Sequence, residues 1–358
     1  MELCEVIRSY LKKEESNISV DDKLLSDALS QSLQALLYLV TKDKRIKKYY
    51  ISQLVTQEKF ITLQTELTDL FNKNQIKHFY VKGSVLYKLY DDYAIRSRGD
   101  IDVYVDPSDL DRAKKLMLDN GYTEEKADCM HHIGLHKDNL EVELHFALLD
   151  SYNGNIQAKV FEEPFKYAFC VKNSLYKLTD TMHLVFCLAH FARHLKMGGG
   201  YRYILDFYYI LSKLDIDYIE LHKYIDMFNY NVLWNNILNA IYYFTGSEFD
   251  NLEKKDIKFF LDYMNNSGIH GFKSGKTKPG FYGKNKVGYF FSRVFMTNKE
   301  YRISLYPRAG KHIIFYPFIL IAHIFYLLTH KFKRLFEFIR RRPDKEKEKI
   351  YNDLGLFD

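Results

Sequence analysis

The sequence predicts an α+β fold, a small mixed sheet flanked by helices and followed by a large helical C-terminal part. Three observations carry the prediction. Period-two alternation of apolar and polar residues is confined to short runs at 78–81, 100–105, 131–136 and 140–146. Helical spacing fills the flanks, at 27–40, 49–71 and 181–196. The chain's 358 residues, 47% hydrophobic with 30 Tyr and 27 Phe, suffice for one large or two ordinary domains. The expected division is 1–75, helices packed on the core; 76–178, the α/β core; 179–342, a helical domain; and 343–358, a charged, frayed tail.

Residues 27–40 and 49–71 are two predicted helices. The basic cluster between them (Lys42, Lys44, Arg45, Lys47, Lys48) suits a solvated helix end better than a nucleic-acid patch. His78-Phe-Tyr-Val81 is a strand, and Gly83-Ser84 turns it into a helix at 85–90. After the strand at 100–105, Asp106-Pro-Ser-Asp starts a helix at 110–118 that Asn120-Gly121 closes. The runs at 131–136 and 140–146 pair as a hairpin around Lys137-Asp-Asn139. His131 and His132 have a phosphate or metal contact as one reading and an exposed strand end as the commoner one. Residues 147–178 form a connection with weak strand signals at 160–164 and 168–171. Thr179-Asp180 caps the helix at 181–196, and Met197-Gly-Gly-Gly-Tyr201 reads as a flexible break. A helix carrying Arg202 and Asp206 and further amphipathic helices at 217–259 follow. The Gly/Lys-rich stretch 268–288 reads as a mobile basic loop. Its Gly275-Lys276-Thr277 lacks the glycine spacing and the preceding strand of a P-loop.

The chemistry concentrates on one strand. Alternation puts Asp100 and Asp102 on one face and Ile101, Val103 and Val105 on the other. Two ionised carboxylates side by side repel, and a hard divalent cation resolves the repulsion. Mg²⁺ suits the pair, since it binds through one or two carboxylates together with substrate phosphates; Mn²⁺ is the alternative ion. A bare Asp-x-Asp is also a common solvated pair at a strand edge, so context decides. Gly83-Ser84 heads a predicted helix, where backbone N–H groups can face a phosphate. In Leu140-Glu-Val-Glu-Leu-His-Phe146, Glu143 is mid-strand and preferred over Glu141 as a third acid. Three carboxylates on neighbouring strands can hold two metals for an in-line attack on phosphorus.

The order Gly83-Ser84, Asp100-x-Asp102, then Glu143 on a later strand resembles the nucleotidyltransferase superfamily that includes DNA polymerase beta. The fuller pattern is Lys82-Gly83, Arg96-x-x-x-Asp100-Ile-Asp102, Gly121-Tyr122, Glu143-Leu-His145, His190-x-x-x-His194 and Arg202…Asp206. It is similar to a bacterial family of uncharacterised nucleotidyltransferases and spans roughly residues 30–340. Members often accompany polysaccharide-synthesis genes. The gap from Ser84 to Asp100 is longer than in many superfamily members. The resemblance implies a nucleotidyltransferase-type sheet, and a nucleoside triphosphate, ATP first, as donor to an unidentified acceptor. It implies Asp100, Asp102 and Glu143 as metal ligands and catalytic acids. Gly83 and Ser84 would cradle the β/γ-phosphates, with Lys82 or Arg96 neutralising charge. His190 and His194, one helical turn apart, are either phosphate contacts or a packed structural pair. They are not a zinc-protease pair, because Phe191 stands where that motif needs Glu. Arg202 either binds triphosphate, held by Asp206, or simply pairs with Asp206.

Charge and composition bound the remaining classes. A net charge of +6 favours anionic partners such as nucleotides or a membrane surface without marking a nucleic-acid binder. Cys4, Cys129, Cys170 and Cys187 are scattered, as reduced thiols of a cytoplasmic protein are, and no basic-then-apolar leader opens the chain. The apolar run 313–328 contains Pro317 and His323 and precedes Lys331, Lys333, Arg334 and Arg340–Arg342. A core-packing helix is the preferred reading. Peripheral contact with the inner membrane face through 311–342 is the other. Two alternatives to the enzyme stand: a non-catalytic nucleotide-binding scaffold at a membrane-associated assembly, and a toxin-like enzyme modifying tRNA or protein.

Overall fold

The computed structural model describes the chain except residues 1, 15, 126–130, 150–155, 251, 270–290, 292–293, 298–301, 303–304, 307–308, 311, 331–344 and 357–358. The loop expected at 268–288 and the basic run after 330 lie almost wholly outside the described residues.

Helices α1 (Glu2–Lys12), α2 (Asp22–Ser30), α3 (Gln34–Thr41) and α4 (Lys47–Lys73) come first. Then come β1 (His78–Tyr80), the one-turn α5 (Gly83–Leu86), β2 (Asp100–Val105), α6 (Leu110–Asp119), β3 (Thr123–Glu124), β4 (His132–Lys137) and β5 (Leu140–His145). A short α7 (Ile156–Val160) leads to the hairpin β6 (Ala168–Lys172) and β7 (Leu175–Leu178). Helices α8 (Asp180–Leu195), α9 (Tyr201–Lys213), α10 (Tyr218–Met227), α11 (Asn231–Thr245) and α12 (Lys258–Asn266) complete the body. The strands form one mixed sheet in the order β3-β4-β5-β2-β1-β7-β6, parallel at β2–β5 and β1–β7. This is the α+β architecture that the alternation predicts.

The two faces of β2 sort the molecule. Ile101, Val103 and Val105, with Val142 and Leu144 of β5, pack under Phe60, Leu63, Leu67 and Phe71 of α4 and Ala113 and Met117 of α6. The opposite face, carrying Asp100, Asp102 and Tyr104, turns toward the larger core of α8, α9 and α11. Tyr104 is buried there and stacks on Phe79 at 4.9 Å. The acids, one and two steps nearer the strand's start, meet a cleft instead of that core. Asp138 and Asn139 both take positive φ (52° and 62°) in the β4–β5 turn, the geometry of a tight hairpin.

Several expectations change. The run 27–40 is two helices, because Gln31 breaks it and turns inward. Fully buried, Gln31 donates to Met264 O at 2.8 Å and accepts from Tyr201 N–H at 2.9 Å. The three glycines at 198–200 are buried rather than a flexible break. Gly198 has φ +110°, and a β-carbon on Gly200 would collide with the Gln31 amide oxygen. Residues 156–160 are helical, and β7, unmarked by alternation, extends the sheet by pairing with β1. Of the N-terminal helices, α4 lies on β2, whereas α1 packs on α3 and α11. The segment expected to fray contains the helix Lys345–Leu354, whose Tyr351 and Leu354 are buried beside α11 and whose Tyr351 hydroxyl donates to Lys196 O at 2.7 Å.

The C-terminal apolar helix, Tyr316–His330, overturns the core-packing expectation. Ile319 and His323 are buried, but Ile314, Phe318, Ile321 and Phe325 are 68–74% exposed. With the preceding turn it spans the 18 residues Ile313–His330, long and apolar enough to cross a membrane, and only 11% of that stretch is buried.

Candidate active site

The site starts from a strained residue. After β1, Lys82 adopts φ +50° and ψ −131°, a region that side-chain-bearing residues avoid. Three contacts hold it there. Its N–H donates to His183 Nε2 at 3.2 Å, its carbonyl accepts from Leu86 N–H at 2.9 Å, and its ammonium lies 2.6 Å from Asp102 Oδ1. Burial and the charge of Lys177 keep the His183 imidazole neutral, pushed down to about 4, so its Nε2 can accept. At the next residue, a β-carbon on Gly83 would sit 3.3 Å from Arg98 Cβ and 3.4 Å from the Arg96 guanidinium, so glycine lets the arginines approach. Ser84 is buried beneath the site, and its Oγ accepts from Asp102 N–H at 3.0 Å, which fixes the acid-bearing strand.

Parallel pairing places Asp102 directly beside Glu143 and Asp100 beside Glu141. His145 follows Glu143 on the same face. Its Nε2 lies 3.0 Å from Asp102 Oδ1 and 3.1 Å from Glu143 Oε2. Lys82 Nζ stands 3.9 Å from the same Glu143 oxygen. Burial alone would raise the Asp102 carboxyl, but Lys82 and His145 outweigh it and hold it far below the usual carboxylate range. Asp100 lacks those partners. Burial first, then the charge of Asp102, pushes it up to about 7. Burial would depress the His145 imidazole, but its contacts with Asp102 and Glu143 raise it on balance.

A second cluster faces the acids. Arg96 is buried and paired through Nε with Asp206 Oδ1 at 2.6 Å, and the Tyr90 hydroxyl donates to the same oxygen at 2.7 Å. Asp206 therefore pairs with Arg96 rather than with Arg202 four residues before it. Arg202 donates through a terminal nitrogen to Ser97 O at 2.9 Å, while its Nε is buried without a hydrogen-bond partner. Arg98, which sequence reasoning passed over, donates to Gln57 Oε1 at 2.9 Å and Gln64 Oε1 at 2.6 Å. Its guanidinium stacks over Tyr87 at 4.5 Å, and one terminal nitrogen is buried and unpartnered. Burial lowers both Arg98 and Arg202 to about 10. The rings of His190 and His194 lie 4.2 Å apart, tilted by 41°. Burial, reinforced by the Lys82 charge, holds His190 well below the usual range and His194 at about 4, so both rings are neutral.

Of the site residues expected from the sequence, all except Ser84 line one cleft of about 590 Å³; His145 sits behind its acids rather than in the lining. Lys82, Gly83, Arg96, Asp100, Asp102, Glu143, His190, His194 and Arg202 come together there, joined by Arg98, His131, His132 and Arg193. His145 had a legible signal, its two-residue spacing from Glu143. Arg98 had one too, two residues before Asp100 on the same alternation.

The residues present fit a divalent cation. One oxygen each from Asp102 and Glu143 and one nitrogen of His145 lie within 4.8 Å of one another, where the Lys82 ammonium already supplies positive charge. Asp100 lines the same cleft but joins none of the compact donor clusters among the described residues.

A family model described as an uncharacterised nucleotidyltransferase matches residues 22–226, more than half of the chain, from α2 through α10. No curated protein and no solved structure matches. The matched span holds every residue of the acid and arginine clusters, and the chain belongs to this uncharacterised nucleotidyltransferase family.

Proposed function

We propose that the protein moves a nucleoside monophosphate from a nucleoside triphosphate, ATP first, to a hydroxyl-bearing acceptor in a Mg²⁺-dependent reaction. One observation carries the reading: a carboxylate cluster and an arginine cluster with two orphaned buried donors face each other across a single cleft. Carboxylates alone would suit a cation and arginines alone an anion. Both together suit a metal-bound polyphosphate.

In this reading Asp100, Asp102 and Glu143 hold the metal, Mg²⁺ or Mn²⁺, which neutralises triphosphate charge when bound. Arg96, Arg98 and Arg202 orient the phosphates, and the unpartnered guanidinium nitrogens gain their missing acceptors. The neutral imidazoles of His190 and His194 can donate to phosphate oxygens without adding charge. The acceptor oxygen forms its bond to the α-phosphorus as the bond to the bridging oxygen breaks. Pyrophosphate leaves, and the acceptor's proton passes to a Glu143 oxygen. Incubation with α-labelled nucleoside triphosphates, Mg²⁺ and fractionated acceptors tests this. Label transfer should fall at least about 100-fold in Asp102→Asn, in the range set by losing a principal electrostatic group. Transfer that survives both Asp100→Ala and Asp102→Ala overturns the assignment. A link to surface polysaccharide synthesis predicts a sugar phosphate among the labelled acceptors.

We also infer that the helix Tyr316–His330 meets an anionic bilayer surface at the cytoplasmic face. Phe318, Ile321, Phe325 and Leu328 recur at three- and four-residue intervals on its exposed side, with Ile314 exposed in the turn before it, and the sequence then supplies Lys331, Lys333, Arg334 and Arg340–Arg342. Full-length protein should float with anionic vesicles and not with neutral ones, and Phe318→Glu with Ile321→Glu should abolish flotation. Unchanged flotation in that variant, or concentration-dependent dimerisation without vesicle binding, counts against a lipid partner.

A further inference from the structure

Beside the carboxylates lies a second group of donors, which adds His131 and His132 to His145 and Glu143 of the acid cluster. His132 of β4 and His145 of β5 are directly opposed across the antiparallel pair, so their side chains share a face. Their ring centroids are 5.1 Å apart. His131 stands just before β4, outside the strand's regular alternation, and its carbonyl is held by the N–H groups of Phe146 (3.0 Å) and Ala147 (3.2 Å). Its ring comes round to within 4.7 Å of His132 and 5.6 Å of His145. One nitrogen from each of the three rings lies within 4.8 Å of the others. A carboxylate completes the set: Glu143 Oε1 is 3.4 Å from His132 Nε2.

We propose that His131, His132 and His145, with Glu143 alongside, form a second cation site that takes a borderline divalent metal of the zinc class. Ligand chemistry makes the choice. Three imidazoles and a carboxylate match Zn²⁺, whose sites are four-coordinate with nitrogen ligands, and do not match Mg²⁺, which demands oxygen. The geometry is close to that of a bound state. Zn–N distances of about 2.0–2.1 Å in a tetrahedron separate ligand nitrogens by about 3.4 Å, so side-chain rotation need close each gap by at most about 1.4 Å. His145 supplies an independent indication. Its Nε2 is committed to Asp102 and Glu143, while its Nδ1 is buried with no hydrogen-bond partner. An imidazole that gives one N–H to a carboxylate presents its other nitrogen as a lone pair, the arrangement that orients metal-bound histidines. The two sites would adjoin, with Glu143 between Asp102 on one side and His131 and His132 on the other.

The test uses the full chain, stripped with chelator and dialysed against Zn²⁺ in a large excess of Mg²⁺, with metal content read by mass spectrometry. The wild type should retain one Zn²⁺ per chain. His131→Asn and His132→Asn should each weaken retention by more than about 100-fold, the upper end of what removing mere supporting groups costs. Asp100→Asn should leave retention in place. Co²⁺ added to the wild type should give the intense visible bands of a low-coordinate, nitrogen-ligated ion, which keeps the test decisive if a variant fails to fold. Two results overturn the proposal: Zn²⁺ displaced from the wild type by Mg²⁺, or Zn²⁺ retained undiminished by the His131→Asn/His132→Asn double variant. No nucleotide is present, so failure here leaves the transfer reading standing, and loss of transfer leaves this site standing.

Discussion

Asp206→Ala should be among the most destabilising single changes in the cleft. Asp206 is 5% exposed and Arg96 is 5% exposed, so their 2.6 Å contact is an ion pair removed from water. Removing one partner of such a pair leaves an uncompensated buried charge, at a cost of roughly 3–5 kcal/mol. The Tyr90 hydroxyl, also buried, loses its acceptor at 2.7 Å, a further ~1 kcal/mol. A net loss of about 5 kcal/mol is a large share of the roughly 5–15 kcal/mol that folded proteins possess. With a urea slope of about 3 kcal/mol per molar, the unfolding midpoint should fall by about 1.7 M. Equilibrium urea titrations by fluorescence and circular dichroism read this directly. Asp206→Asn should fall between wild type and Ala, since it preserves an acceptor for Tyr90 but removes the charge. Replacing both partners with apolar residues, Arg96→Met with Asp206→Leu, should recover most of the loss, because the cost lies in the orphaned charge. A midpoint shift below about 0.3 M in Asp206→Ala, or a double variant as unstable as the two singles added together, refutes the reasoning.

Three further outcomes follow from the same contacts. His183 is buried with its pKa lowered to about 4 against an ordinary 6.5, so between those values the unfolded chain binds a proton that the folded chain refuses. Its contribution is complete above pH 6.5 and is lost as pH falls toward 4, by about 3 kcal/mol in all; His183→Gln should show a flatter pH dependence in urea titrations, and an identical slope would contradict this. Lys82→Ala deprives buried Asp102 of its nearest cation, so its melting temperature should drop at pH 7 and rise with millimolar Mg²⁺ more than that of the wild type. An equal Mg²⁺ response in both proteins would show that the metal does not occupy the ammonium's place. Gly200→Ala should cost about 2 kcal/mol, since its methyl displaces the Gln31 amide from two buried hydrogen bonds. A change under about 0.5 kcal/mol would mean that Gln31 has another place to go.

Local pattern alone made the α+β class, the acid-bearing strand and the third acid legible. Strand periodicity of two assigns Asp100 and Asp102 to one face, and the same rule assigns Glu143 and His145 together. Helix periodicity located α4, α8 and α9, and the Thr179 cap is where the sequence puts it, its hydroxyl accepting from Met182 N–H at 3.3 Å. Those signals act over a few residues, and backbone geometry enforces them wherever the segment folds. What the tertiary structure decided depends on distance in space. Register alone sets Asp102 beside Glu143 and Asp100 beside Glu141, with His145 reaching both Asp102 and Glu143. The partner of Asp206 is Arg96, 110 residues away, rather than its helical neighbour Arg202. Gln31 breaks an otherwise periodic helix because a carbonyl and an amide more than 150 residues downstream satisfy its side chain. The exposed side of the helix Tyr316–His330 shows the limit from the other direction. Its composition is that of a core helix, and only the arrangement of the chain in space leaves that face uncovered among the described residues.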